Sequence, residues 1–263
     1  MIRLMRADLY RIFRGKTIYI TFALLIALAV LTIIVSRGAI NIGFAFENDP
    51  DFGVAMEVLD GAAAAQIALD MMDVLVYFFL PLIIVVAMSP FSSNAIKNEL
   101  STGVGRVKFY FAKWLLSACL SILFMLFHLA LYVGLASIID GFGYWGNGLL
   151  PDILAALGAQ ILFALAFNSI GMFFCFITRK TAAVNGLYLA FVLVPLLIIS
   201  LLIIAFPGAV EYLFYDLSSQ FGLFAQMATL SNGEIARGLA IGVGYLIIPL
   251  AAGMALFKKA EIK

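Results

Sequence analysis

Long apolar runs broken by short polar intervals set the pattern of this chain. The runs extend from Ile18 to Val35, Met72 to Met88, Phe111 to Ile138, Ile153 to Ile177, Val184 to Phe206 and Leu239 to Phe257. A helix climbs about 1.5 Å per residue and needs ~20 apolar residues to cross ~30 Å of hydrocarbon. Each run meets or approaches that length. The pattern therefore predicts an all-α integral membrane fold of six transmembrane helices, forming one domain over residues 1–263.

Residues 1–16 follow a different period. At about 100° per residue, Ile2, Met5, Leu9, Ile12 and Phe13 share one arc while Arg3, Arg11 and Arg14 face away. Such a helix lies in the headgroup region with its apolar arc in the acyl boundary. Arg3, Arg6, Arg11, Arg14 and Lys16 mark it as an interfacial elbow, and they serve equally as a topology signal.

The intervals differ in character. Residues 36–71 form the longest, an acidic first external loop with turn chemistry at Asn48-Asp49-Pro50-Asp51 and an alanine-rich surface helix expected between Val54 and Met71. A calcium site at Asp49 and Asp51 is conceivable, but EF-hand spacing is absent and a solvated acidic loop accounts for the same residues. Residues 89–110 hold a short helix that Ser92 or Ser93 can cap and Gly103 can end, with Ile96 and Leu100 forming an apolar ridge beside Lys97, Asn98 and Glu99. Two helical turns outside a membrane cannot bury that ridge alone, so it packs on the interface or enters a partner's groove. Residues 207–237 are apolar for a loop, which suggests short helices dipping back toward the hydrocarbon.

Charge orients the bundle. Hydrophobic residues make up 65% of the chain and charged residues 12%, against ~25% charged in soluble domains, so water is the wrong reference solvent. If six spans alternate, only Arg37 and Arg237 of the 16 basic residues fall opposite the elbow helix, while of the acids only Asp8, Glu99 and Glu261 fall on its side. The positive-inside bias then puts both termini in the cytoplasm.

The spans hold little that titrates. Asp73 sits at the mouth of the second and His128 lies deeper in the third, where hydrogen-bonded packing and proton relay are both open. Carriers driven by ion gradients place carboxylates or broken helices near the midplane, so the work is expected to come from elsewhere. On the fourth span Gln160, Asn168 and Gly171, with Ala164 and Cys175, form a narrow polar stripe that must face other helices or a wetted pathway. Gly238-x-x-x-Gly242, with Gly244, Pro249 and Gly253, marks the last span as a close-packing element. Cys119 and Cys175 fall within spans, and a single His cannot build a zinc site, so no metal ligands are assigned. No Walker A, zinc motif or nucleophile elbow occurs, so no catalytic residue and no enzymatic activity are expected of this chain by itself.

The order of parts resembles the permease subunit of ABC-2 type transporters. The likeness spans the whole chain, and its most specific stretch runs Ile96-Lys97-Asn98-Glu99-Leu100-Ser101-Thr102-Gly103-Val104-Gly105-Arg106 and on to Ala112-Lys113-Trp114. This is similar to the family's coupling-helix segment, with Asn94-Ala95 in place of its Gly-Thr and Gly105 in place of the Ser before Arg106. The resemblance implies a cytoplasmic ATP-binding cassette subunit that binds ATP and Mg, a second permease copy or sister permease, and no cofactor on this chain. It also implies Ser93, Asn94, Ile96, Lys97, Asn98, Glu99, Leu100, Gly103 and Arg106 as the ATPase contact. The expected setting is the plasma membrane, the cytoplasmic membrane of a bacterium, with no role for nucleic acid. Cargo resembling an antimicrobial or other amphipathic peptide is implied by the same likeness. An ATP-independent channel or carrier, or a non-transporting anchor or sensor, remain alternatives.

Overall fold

A computed structural model describes residues 2–36, 59–92, 105–146 and 148–259 of the chain. Every regular element among them is helical. The elements are α1 (Ile2–Arg14), α2 (Lys16–Ser36), α3 (Gly61–Asp70), α4 (Leu75–Ser92), α5 (Arg106–Asp140), α6 (Leu149–Thr178), α7 (Thr181–Ala205), α8 (Ser219–Ala225) and α9 (Asn232–Lys259). Tight 3-10 turns at Met71–Val74, Pro207–Tyr215 and Met227–Thr229 link some of them. Six helical stretches are long and apolar enough to cross a membrane.

The bundle is built around α6. Its small and aromatic positions Ala164, Phe163 and Phe167 are sealed from solvent. α9 packs along it because Gly242 brings the backbone close: a Cβ there would lie 2.9 Å from the Phe163 ring. Gly238 does the same against Phe224 of α8, and Gly253 against Tyr110 of α5. These glycines exchange helix propensity for close backbone approach, the usual bargain of membrane helices. α2, α7 and α9 keep broad apolar faces outward, with Leu24, Leu197, Leu201 and Ile248 exposed, as lipid contact requires.

The second span differs from its expected form. An apolar helical stretch begins at Gly61, not Met72, and continues to Phe91. The alanine-rich segment is no surface helix. Ala64, Ala65, Ala68 and Leu69 are fully buried, and α3 lies against the far half of α5. Asp60 caps it by accepting from the Ala63 N–H at 2.9 Å, and the Gly61 N–H donates to the Gly141 carbonyl at 3.0 Å. Alanine scores as weakly hydrophobic, so a hydropathy reading drops such a segment into a loop. Its lack of bulk is what lets two helices touch.

The same stretch is broken at Met71–Val74, which departs from the expectation of unbroken spans. Three neighbouring helices supply polar side chains to carbonyls around the break. His128 of α5 sits 3.2 Å from the Ala68 carbonyl, Gln160 of α6 donates to the Leu69 carbonyl at 3.0 Å, and the Tyr188 hydroxyl of α7 donates to the Val76 carbonyl at 3.0 Å. Backbone groups freed inside a bundle must find such partners. His128 thus has a hydrogen-bonded packing role.

The segment between α7 and α9 folds inward. Phe221 and Phe224 of α8 are fully buried and meet the Phe163 ring edge-on at centroid distances of 5.9 and 5.0 Å. Gln160 also donates to the Phe221 carbonyl at 2.8 Å, and Gln66 to that of Ala225 at 3.0 Å. A seven-residue helix with this much aromatic surface is held by its neighbours and not by its own length.

Candidate functional site

The basic residues gather where α1 meets the near ends of α4 and α5. α1 joins α2 through Gly15 alone, whose N–H bonds the Ile12 carbonyl at 3.0 Å. Met5, Leu9 and Ile12 pack on the core. Phe13 does not share that face: it is 56% exposed, one residue past the arc that the core covers. Ile2 and Arg3 fall at the start of α1, while Arg6, Arg11, Arg14 and Lys16 are all exposed.

One position on the packed face is an acid. Asp8 is buried, and both its oxygens lie 2.7 Å from the Lys113 ammonium, itself fully buried two turns into α5. The ammonium also stands 5.3 Å from the centroid of the Phe109 ring, within cation–π range. Lys113 therefore belongs to the bundle interior and not to the solvated connection where its charge alone would place it. The next turn of α1 adds a second tie. Arg11 donates to the Ser89 hydroxyl of α4 at 2.6 Å and lies 3.8 Å from Asp8. At the start of α5, Arg106 donates to the Lys258 carbonyl at the end of α9 at 3.0 Å.

α1 is thus bonded to α4 on one side and α5 on the other. The chain between those two helices, residues 93–104, contains Ser93, Asn94, Ile96, Lys97, Asn98, Glu99, Leu100 and Gly103, all outside the described residues. The acidic Asp49/Asp51 turn also lies outside them. What the described residues give is the frame: α4 extends to Ser92 and α5 starts at Arg106, so the intervening segment is shorter than the expected 89–110.

The α6 stripe is a packing seam. Asn168 accepts from the Ser117 hydroxyl and donates to the Trp114 carbonyl at 3.3 Å, and the Trp114 indole N–H donates to Ser169 at 2.9 Å. Gly171 is pressed by Ile83 of α4, 2.7 Å from where a Cβ would stand. Gln160, Asn168 and Cys175 are fully buried. Gln160, through its Nε2, and Asn168 bond α6 to its neighbours, while Cys175 packs in the core.

Among the described residues no three His, Cys, Asp or Glu side chains gather as a metal site. The Asp8–Lys113 pair eluded sequence reading because its members stand 105 positions apart. One signal was present: an acid among the apolar positions of an otherwise basic amphipathic helix. Fold and charge together define an all-α, multi-pass membrane protein. Comparison with protein-family models and with curated proteins found no match to this chain.

Proposed function

We propose that the chain is the permease subunit of an ATP-driven exporter of the ABC-2 type, forming half of a translocation pathway beside a second permease. The observation that carries this reading is the double tie of α1, through Asp8 to Lys113 and through Arg11 to Ser89. A push on residues 93–104 reaches α4 and α5 together with the interfacial helix, so the three would move as one body. The bundle interior supports it as well: the buried Lys113 charge is met by Asp8, in a structural tie that offers no exchangeable ion. ATP and Mg would sit on a separate cytoplasmic cassette subunit, with Ile96 and Leu100 anchoring in its groove. Amphipathic peptides are the proposed cargo class.

The test is co-purification with a candidate ATPase encoded beside this chain. The complex should survive detergent, and Ile96→Asp with Leu100→Asp should dissolve it. An intact complex in that double variant removes the coupling assignment. A second reading, an ATP-independent carrier, is favoured by the helix break at Met71–Val74 beside Asp70 and Asp73. Uphill transport by the chain alone in liposomes, driven by a proton gradient, would establish that reading instead.

A further inference from the structure

A lateral cleft of about 530 Å³ opens between α7 and the inward-folded segment, and a second of about 470 Å³ adjoins it along α9. Phe191, Tyr215 and Tyr245 line both, so the two are lobes of one cavity. Each falls within the ~300–1,000 Å³ of pockets that hold small organic molecules. Its rim is exposed at Leu202, Tyr212 and Ile248, and its floor at Asp216 and Leu217 is buried.

Asp216 sets the chemistry. The residue is 7% exposed, and its three hydrogen bonds, from the Ser218 hydroxyl, the Ser219 hydroxyl and the Ser219 N–H, all fall on Oδ2 at 2.6–2.8 Å. No described residue bonds Oδ1, and no described basic side chain pairs with the carboxylate. A carboxylate this buried is costly unless a cation meets it.

Two prolines belong to the same cleft. Pro195 lies in α7 and Pro249 in α9, and each lines one lobe. A proline within a helix removes the N–H that would bond the carbonyl four residues earlier, here those of Phe191 and Tyr245. The cavity thus combines a carboxylate with six aromatic side chains, three of which line both lobes. Aromatic faces attract cations, and the carboxylate repels anions. A small metal ion needs a full shell of oxygens at close range, which this aromatic lining does not offer.

We propose that this cleft binds amphiphilic organic cations of single charge, with the charged centre against Asp216 and the apolar body between Phe191, Tyr215 and Tyr245. Such binding is independent of what powers the protein.

The experiment uses the full chain in lipid nanodiscs. Binding of radiolabelled tetraphenylphosphonium is compared with that of neutral triphenylphosphine oxide, empty discs serving as background. The cation should bind at least ~10-fold tighter, and Asp216→Asn should weaken it by at least ~10-fold, as losing a desolvated charge partner does. Tyr245→Leu keeps an apolar wall but loses the ring, and should weaken the cation about 3- to 10-fold. Equal binding of cation and neutral compound overturns the proposal and makes the cleft a slot for lipid chains. So does a folded Asp216→Asn protein with unchanged cation affinity. If that variant does not fold, the native comparison and Tyr245→Leu decide the matter.

Discussion

Lys113 carries a full charge into a place without solvent, and that is tolerable because Asp8 faces it with both oxygens. Buried ion pairs repay their desolvation poorly, yet removing one partner alone strands a charge and costs about 3–5 kcal/mol. Asp8→Ala and Lys113→Met should therefore each lower the unfolding temperature in detergent markedly. Asp8→Leu combined with Lys113→Met should recover most of that loss, since an apolar pair of similar bulk fits the same space. If stability is thereby restored while any partner-stimulated activity stays low, the pair serves motion and not folding. Additive losses in the double variant would mean that the two side chains do not act as a pair. None of this was legible in composition. Lys113 reads as one more cytoplasmic cation, and only the burial of one helix face against another turns it into an anchor.

At the scale of elements, hydropathy located the bundle well because lipid contact imposes one rule on every spanning helix. It misplaced the edges wherever small residues do the packing. Gly61–Asp70 reads as a surface helix of the external loop because alanine contributes little apolar surface, though α3 is buried against α5. The α8 segment is legible in kind: its apolar residues suggest short helices folding inward, and Ser219–Ala225 is one, though composition does not place its ends. Periodicity did catch the glycines. Gly242→Ala should destabilise the bundle by about 1–3 kcal/mol, because its Cβ would press on Phe163, whose ring is boxed by Phe221 and Phe224. Gly158→Ala, on an exposed face of α6 with open space around it, should instead add up to about 1 kcal/mol. Thermal melts of the two variants side by side separate packing from propensity. A neutral Gly242→Ala would show that α6 and α9 do not meet as described.

For the whole molecule, the decisive property is that its two ends differ in sign. Element ends meet in two groups. Arg11 joins Ser89 and Arg106 joins Lys258 at one end, while Asp60 caps α3 beside Gly143 and Ser137 lies against Gly61 at the other. These contacts, with the Phe176 ring meeting Phe91 and Phe257, place the starts of α2, α5 and α7 with the ends of α4, α6 and α9, as alternating spans require. The basic residues of the first group should then face the cytoplasm, because translocating them against the membrane potential is unfavourable. Cysteine labelling tests this directly. In a background with Cys119→Ala and Cys175→Ala, Tyr144→Cys falls at an exposed position of the far end and Ala182→Cys at an exposed position beside Lys180. A membrane-impermeant maleimide should label Tyr144→Cys in intact cells and Ala182→Cys only after permeabilisation. The opposite result would turn the bundle over. It would put the clamped face of α1, α4 and α5 outside, beyond the reach of any cytoplasmic ATPase, and favour the carrier reading built on the helix break near Asp70 and Asp73.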